Sequence, residues 1–295
     1  MRAVRAVCLA AEARHRLARA GGTGRVHSAF ARTINLTLDG LGDLGWLSLH
    51  GPGPIPSPFG IACPALSIQS ELAGAAVRLE SGAVVLKGWL RVELADAAVA
   101  DTALPGSAPY PPITACLADA GRRVTDGLLP VVAARLEGAP LPATPLAAVA
   151  SPALARLEET TATGDATAWL VAATRLLGLG PGLTPSGDDC LVGWLAGARA
   201  SGPRGQRLAA TVGATLVAVA VERTTPLSRA FLAAAAAGHV AVPVREFVTS
   251  PDEPRLRGLL AVGETSGADV LAGYLLARHA LGRGGSSPWR ERDPA

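Results

Sequence analysis

The stretch GLGPGLTPSGDD, Gly178 to Asp189, combines groups that can do chemistry: flexible backbone, hydroxyls and carboxylates. Glycine adopts backbone conformations that bring N–H groups close to an anion, and the N-terminus of a helix favours negative charge. We therefore predict that phosphate or a carboxylate binds here. The stretch lacks the Lys-Ser/Thr ending of a P-loop and does not follow a clear strand, so it matches neither common nucleotide motif. The binding residues that we expect are Gly180, Gly182, Thr184, Ser186 and Gly187.

A later stretch repeats part of the first. Ser186-Gly-Asp-Asp-Cys-Leu-Val-Gly-Trp-Leu is echoed by Ser266-Gly-Ala-Asp-Val-Leu-Ala-Gly-Tyr-Leu. Such a repeat indicates two similar supersecondary units, and it adds Ser266 and Gly267 to the predicted binding residues. Gly193 and Gly273 follow the acids by one helical turn. Small residues there favour close packing of the two helices around a pseudo-twofold axis.

The same residues also allow a purely structural interpretation. Ser186 and Asp189, like Ser266 and Asp269, have the spacing of a capping box, in which both side chains bond free N–H groups at a helix start. Asp188 adds a carboxylate, which repels phosphate unless it binds a metal or a substrate amide or amine. We name Asp188, Asp189 and Asp269 as candidate catalytic residues, with helix capping as the alternative.

The segment VERTTPLSRAF, between the two copies, predicts another helix start. Thr225 and Pro226 form a typical N-cap and first-turn pair. Arg223 precedes them and is a further candidate catalytic residue, as the clamp on a bound anion. Thr224 and Ser228 are the expected hydrogen-bond donors beside it. The alternative is an ordinary capped helix with a solvated arginine.

The elements that must position these residues change in character along the chain. Between Arg32 and Leu94, short alternating apolar segments separated by Gly and Pro clusters predict a mainly antiparallel sheet. From Ile113 onward, helical periodicity dominates. We therefore predict an α+β protein. It has a β-rich N-terminal domain over 1–105 with a leading amphipathic helix, a mainly α-helical domain over 111–282 with an internal loop-helix repeat, and a flexible tail over 283–295.

Composition and charge disfavour several classes of protein. The 295 residues are 49% hydrophobic and 17% charged, which indicates a globular chain. The formal net charge is +3 with no Lys/Arg run, which argues against a nucleic-acid partner. We find neither a membrane span nor a signal-peptide core, so we expect a cytoplasmic protein. The four cysteines lack metal or redox spacing. We predict no cofactor and no bound metal, with Mg²⁺ at the acids left open.

The loop GLGPGLTPSGDDCLVG, the segment RTTPLS and the echo TSGADVLAG together resemble a bacterial family long catalogued as a domain of unknown function, which includes the third subunit of oxamate carbamoyltransferase. The resemblance covers Gly178 to Leu276, with a looser match at FARTINLTLDG. It implies carbamoyl transfer between oxamate and phosphate in anaerobic allantoin breakdown, together with two other subunits. The chain departs from the family pattern at Cys190 and Glu264. Besides the loop glycines, the matched positions are Thr184, Ser186, Asp188, Asp189, Arg223, Thr224, Ser228, Ser266, Gly267 and Asp269.

The sequence leaves three functions open. The first is a carbamoyl- or acyl-transferase subunit that binds phosphate, carbamoyl phosphate or an oxamate-like substrate and works with other protein subunits. The second is a non-catalytic subunit, either anion-binding or structural, whose repeated loops build an interface. The third is a Mg²⁺-dependent hydrolase that uses Asp188, Asp189 and Asp269.

Overall fold

The chain builds a β-sheet first and a set of helices second, as the computed structural model shows for residues 2–53, 55, 57–67, 72–121 and 123–283. Strands end at Ala100, and helices follow from Ile113. The prediction of an α+β fold is therefore confirmed.

The strands of the described region form one sheet in the order β1-β9-β8-β7-β3-β4-β5-β6-β2-β10. Their bounds are β1 Arg2–Arg5, β2 Cys8–Ala10, β3 Thr23–Ala29, β4 Thr33–Leu38, β5 Trp46–His50, β6 Gly60–Ala62, β7 Ala76–Glu80, β8 Ala83–Leu86, β9 Leu90–Glu93 and β10 Ala98–Ala100. Most neighbours are antiparallel, as predicted, whereas β1/β9, β2/β10 and β5/β6 are parallel. Only Ala6 and Val7 separate β1 from β2, yet these strands lie near opposite ends of the order, so the sheet curls into a half-barrel.

The first residues differ from the leading helix that we predicted. Two strands come first, and α1 begins only at Ala11 and ends at Arg19. Burial alternates here with the period of a strand, since Val4 and Ala6 are buried and Arg5 is exposed, and Val4 lies opposite Val92 of β9. Pairing with a distant strand therefore overrides the local helical pattern.

The β4/β5 pair shows how the sheet positions polar groups. Ile34, Leu36 and Leu49 alternate along these strands and are fully buried in the core of the sheet. Because successive side chains of a strand point to opposite faces, the intervening polar residues lie on the other face. That face looks towards the helices.

The helices of the second part are α2 Ile113–Gly121, α3 Leu129–Glu137, α4 Pro145–Thr163, α5 Ala166–Thr174, α6 Ser186–Arg199, α7 Gly202–Val219, α8 Pro226–Ala237, α9 Val242–Thr249, α10 Glu253–Leu260 and α11 Ser266–Arg283. Helix α6 is buried on every side from Ser186 to Ala198. A helix enclosed in this way is a central core element. The other helices pack around α6 and α11.

Paired glycines bring α6 and α11 into close contact. A Cβ atom on Gly193 would lie 1.8 Å from the carbonyl oxygen of Val270, and one on Gly273 would lie 1.8 Å from that of Cys190. Cys190 and Val270 occupy the same position in the two copies of the repeat. The contacts are therefore reciprocal, which confirms the predicted pseudo-twofold packing.

The sheet and the helices also join directly. Trp46 and Phe59 of the sheet region pack with Leu227 and Ala230 of α8 in one buried cluster. Residues 101–112 connect the sheet to the helices and form backbone hydrogen bonds with the helical part. Val240 N–H, for example, donates to the Thr102 carbonyl at 3.0 Å. Apolar burial and main-chain bonds thus fix the two parts against each other.

Within the described residues, no helix combines the length and apolar character needed to cross a membrane. Of the tail predicted over 283–295, only Arg283 lies in the described region, as the last residue of α11. The rest of that prediction falls outside the described residues.

Candidate functional site

The structure extends the internal repeat towards the N-terminus. Leu176–Gly180, LLGLG, corresponds to Leu259–Gly263, LLAVG, after which the second loop is three residues shorter. In both copies the glycine after the serine packs on a carbonyl. A Cβ atom would lie 1.9 Å from the Leu176 oxygen at Gly187, and 1.9 Å from the Leu259 oxygen at Gly267. The repeated unit is therefore a helix end, a loop and a new helix start, with glycine required where backbones touch.

The capping-box interpretation is wrong for α6. The N-cap is Pro185, Ser186 is already helical, and no side chain caps this helix start. The hydroxyl groups act across the pseudo-twofold axis instead: Ser266 bonds Asp189, and Ser186 bonds Asp269. Each acid is therefore bonded by the serine of the other copy.

The loop also uses much of its own backbone. Gly187 N–H donates to the Leu179 carbonyl at 2.9 Å, and the N–H groups of Asp188 and Asp189 both donate to the Pro185 carbonyl. Of these residues, Gly187 is one that we expected to hold a phosphate, and Asp188 and Asp189 lie at the helix start that follows it. Because these N–H groups are bonded within the protein, the side chains become the better candidates for ligand contacts.

Asp188 ties three segments together. Its carboxylate accepts hydrogen bonds from Gly178 N–H at 3.0 Å, from the Ser228 hydroxyl at 2.8 Å and from the Thr224 hydroxyl. Burial raises its pKa, while these hydrogen bonds act in the opposite direction. The predicted N-cap of α8 is confirmed, since Thr225 accepts from Ser228 N–H at 3.0 Å. The geometry assigns Asp188, Thr224 and Ser228 to holding the loop in place.

Asp189 faces a different environment from its neighbour. It is 5% exposed and lines a cleft, and its buried Oδ2 has no hydrogen-bond partner among the described residues. Burial raises the pKa of Asp189 well above its usual value, whereas hydrogen bonds from Ser266 and Thr184 lower it. The Thr184 and Ser266 hydroxyls lie 3.1 Å apart. Two hydroxyls, one from each copy, thus flank a buried acid at the wall of the cleft.

Asp269, the equivalent acid, lies outside the cleft lining, and its buried Oδ2, like that of Asp189, has no hydrogen-bond partner among the described residues. Asp269 is 0% exposed and accepts a hydrogen bond from the Leu128 backbone N–H at 2.5 Å. Gly127 packs on it so closely that a Cβ atom there would lie 2.4 Å from its Oδ1. Burial raises the pKa of Asp269 to about 6, and bonds from Leu128, Ser186 and Thr265 oppose that shift.

The cleft lies between the sheet and the helices and has a volume of about 1160 Å³. The predicted residues that line it are Gly182, Thr184, Asp189, Ser266 and Gly267. The predicted residues that lie outside its lining are Gly180, Ser186, Gly187, Asp188, Arg223, Thr224, Ser228 and Asp269. Glu264 also lines the cleft. The structure thus divides the predicted set into a group at the cleft and a group behind it.

The opposite wall carries a row of polar side chains that sequence reasoning missed. Thr33 and Asn35 of β4 pair with His50 and Ser48 of β5, and all four line the cleft. The Ser48 hydroxyl donates to Asn35 Oδ1 at 2.9 Å. The available signal was the strict alternation of these polar residues with buried leucine and isoleucine. On a sheet face that helices cover, such alternation marks a polar wall rather than a solvated surface.

His50 is the chemically most distinctive member of this wall. It is 4% exposed, and its Nδ1 lies 3.1 Å from the Thr33 hydroxyl. Its Nε2 is buried with no hydrogen-bond partner in the described region. Burial lowers the pKa of His50 to about 3, so the ring is neutral near pH 7. A neutral imidazole donates a hydrogen bond through one ring nitrogen and accepts one at the other.

The arginine that lines the cleft is not the predicted one. Arg32 lines the cleft and donates to the Pro52 carbonyl at 2.7 Å, and it is the one arginine among the described lining residues. Arg223 is exposed and ends a short 3-10 turn, with its backbone carbonyl packed on Gly178. Of the two arginines, Arg32 is therefore the one that can contact an anion in the cleft.

Among the described residues, no three His, Cys, Asp or Glu side chains are grouped to hold a metal ion. Asp188 turns towards Thr224 and Ser228, away from the Asp189 and Asp269 pair. The arrangement does not favour the three-acid Mg²⁺ site.

Comparison with known families gives two matches along the chain. Residues 176–278 match the family described as oxamate carbamoyltransferase subunit AllH, and residues 3–99 match the AllH family N-terminal domain. Together the matches take in both walls of the cleft. No solved structure matches the chain.

Proposed function

Since the chain belongs to the AllH family, we propose that it is the subunit that binds the small amide or carboxylate substrate of a carbamoyl transfer, and that binding occurs in the cleft. One observation carries this proposal. Asp189 and Asp269 each have a buried Oδ2 without a hydrogen-bond partner among the described residues, but of the two acids it is Asp189 that lines the cleft, flanked by the Thr184 and Ser266 hydroxyls. Buried polar groups without a partner are rare in folded proteins and point to a missing partner.

The reaction that we propose moves a carbamoyl group between oxamate and phosphate. In one direction, the bond between the carbamoyl carbon and the oxamate nitrogen of oxalurate breaks, a bond from that carbon to a phosphate oxygen forms, and the nitrogen takes up a proton. Such a transfer needs positioned reactants and stabilised charge, and it does not require a covalent nucleophile on the protein. Arg32 is suited to the anionic end of the substrate, and the hydroxyls of Thr184 and Ser266 to its oxygen atoms.

A family named for a subunit implies partner chains, and we propose that these complete the enzyme in the bacterial cytoplasm. The predicted residues that lie behind the cleft would then affect binding indirectly, by holding the loop over 178–185 in place. Asp188, Thr224 and Ser228 fix its base, while Gly180 packs against Ser186.

A non-catalytic structural subunit is the second candidate, and the glycine contacts favour it. Gly187, Gly193, Gly267 and Gly273 all serve backbone packing between the copies. Such contacts need no ligand. The two candidates differ in whether the cleft binds a substrate.

Thermal unfolding with oxamate, carbamoyl phosphate or phosphate tests the proposal. We expect oxamate or carbamoyl phosphate to stabilise the wild-type chain, by about 2.7 kcal/mol at a hundredfold excess over Kd. Asp189→Asn and Arg32→Ala should abolish this stabilisation. Asp96→Asn is the matched control, since Asp96 is exposed and lies outside the cleft lining.

The opposite results are equally specific. Loss of binding in Arg223→Ala but not in Arg32→Ala would place the anion at the loop, as the sequence alone predicted. If no ligand stabilises the chain, alone or with its partner subunits, the structural-subunit candidate takes its place.

A further inference from the structure

The two acids of the repeat have matching hydroxyl contacts, and each has a buried Oδ2 without a hydrogen-bond partner among the described residues. Asp189 bonds Ser266 of the other copy and Thr184 of its own loop. Asp269 bonds Ser186 of the other copy and Thr265 of its own loop. Each acid therefore has one hydroxyl partner from the other copy and one from its own loop. The two acids can then be compared by the contacts that are not shared.

The remaining difference is a peptide N–H. Leu128 donates its backbone N–H to Asp269 Oδ1 at 2.5 Å, and Gly127 presses against the same oxygen. Glycine is needed there, since a side chain would collide with the carboxylate, and its φ is +77°. The protein therefore delivers an amide group to Asp269 from a segment far away in sequence.

Asp189 lines the cleft, whereas Asp269 does not. We propose that Asp189 binds the N–H of a ligand amide, in the position that the Leu128 N–H takes at Asp269. The ligand class is a small molecule with a carboxamide or carbamoyl group, and the inference rests on the proposed function of the cleft. The same kind of contact is present within the chain, because Leu128 donates a peptide N–H to the equivalent acid, Asp269.

The surroundings select a neutral N–H donor over the other groups that a cleft could bind. An anion bound against Asp189 would be repelled by Asp189 and also by the second acid, Asp269, which interacts with Asp189. Like charges placed together are each destabilised in their ionised forms. A charged ammonium would be desolvated against Val192 and Val270, which line the cleft, and burial of a charge is expensive. An amide N–H satisfies the acid without a net charge. The anionic end of an oxamate-like ligand then lies away from Asp189.

The test compares oxamate with pyruvate, which has the same charge and nearly the same shape but carries a methyl group in place of the amide NH₂. We measure both affinities by isothermal titration calorimetry, with the chain reconstituted with its partner subunits. Wild-type protein and the control Asp96→Asn should bind oxamate at least tenfold more tightly than pyruvate. Asp189→Asn should lose this preference, because its amide group can turn a donor towards the ligand N–H. Ser266→Ala, which removes one hydroxyl that holds the acid, should reduce the preference and keeps the test valid if Asp189→Asn does not fold.

Each result has one meaning. Equal binding of oxamate and pyruvate, unchanged in Asp189→Asn and Ser266→Ala, would overturn the amide contact and leave cleft binding intact. A preference for oxamate that persists in both variants would also overturn the amide contact, since a group other than Asp189 would then bind the amide of oxamate. If neither ligand binds the wild-type assembly, the proposed function fails and the amide contact fails with it.

Discussion

Asp188 and Asp189 are neighbours in sequence with opposite surroundings. The carboxylate of Asp188 accepts from Gly178, Ser228 and Thr224, whereas Asp189 keeps an unpartnered oxygen beside the cleft. Adjacent positions on a helix point about 100° apart, so one turns into the loop and the other towards the cleft. The same substitution at the two positions therefore has different consequences.

We predict that Asp188→Asn lowers the free energy of unfolding by about 2 kcal/mol, because an amide nitrogen replaces an oxygen that two hydroxyls bond. Asp189→Asn should change the same quantity by less than about 1 kcal/mol, since a neutral amide avoids burying a charge. Urea unfolding of both variants at pH 7 measures the difference. Equal losses would mean that Asp189 is as structural as its neighbour.

Asp269 makes stability depend on pH. Its pKa is raised to about 6 by burial, whereas in the unfolded chain the carboxyl titrates near about 3.9. Between these values the folded state keeps a proton that the unfolded state has lost. The contribution of this group is therefore complete below about pH 4 and is lost as the pH rises through 6.

We predict that the stability of wild-type protein relative to Asp269→Asn falls steadily between pH 4 and 7. Chemical unfolding of both proteins across this range measures the difference and cancels titrating groups that do not interact with Asp269, such as His50. A constant difference would show that Asp269 titrates as it does in the unfolded chain. Asp189, whose pKa is raised in the same direction, should show the same sign in a parallel series with Asp189→Asn.

At the scale of elements, the contact of α6 with α11 depends on the absence of side chains. We predict that Gly193→Ala and Gly273→Ala each destabilise the fold by about 3 kcal/mol, because the new Cβ would lie 1.8 Å from a carbonyl oxygen and force the helices apart. Gly258→Ala in α10 is the matched control, since no atom lies within 4 Å of a Cβ there. Alanine at that position should stabilise its helix by up to about 1 kcal/mol. Thermal unfolding of the three variants distinguishes these effects, and equal shifts would contradict a specific helix contact.

The sequence predicted this element pair for a physical reason. Ser, Asp, Gly and an aromatic residue recur at fixed spacing in both copies, so the sequence alone places the glycines on one helix face. The extension of the repeat to Leu176 and Leu259 is hidden in the sequence, because the two loops differ in length by three residues. A capping box was the natural local interpretation, but the serines bond across the axis, and local spacing carries no information about a partner helix.

The contacts that decide the site could not be predicted in the same way. Leu128 reaches Asp269 across a long separation in sequence, and His50 faces the cleft only because the sheet curls beneath the helices. Arg32 likewise comes from the opposite part of the chain. The motif near Asp189 therefore indicated one wall of the site, while the other wall depends on tertiary packing.

At the scale of the whole molecule, the cleft exists only while the sheet and the helices stay together. Phe59 lies at their junction, with its ring 4.9 Å from that of Phe231 and 4.3 Å from the Arg16 guanidinium. We predict that Phe59→Ala removes about 3 kcal/mol or more of packing at the junction and separates the unfolding of the sheet from that of the helices. Wild-type protein should show one calorimetric transition and the variant two.

Phe247→Ala provides the control for this prediction. Phe247 is equally buried but packs on Tyr274 inside the helical part. Its removal should lower a single transition without splitting it. If both variants behave alike, the junction has no special part in coupling the two halves.

A chain that carries two copies of a binding unit would be expected to take up two equivalents of ligand. Here one of the two equivalent acids, Asp269, already accepts the Leu128 backbone N–H, and Gly127 packs against it. Titration with an amide ligand should accordingly saturate at one equivalent per chain. On the amide contact that we propose, the two copies have different roles: Asp189 accepts from the ligand, while Asp269 accepts from the Leu128 N–H of the same chain.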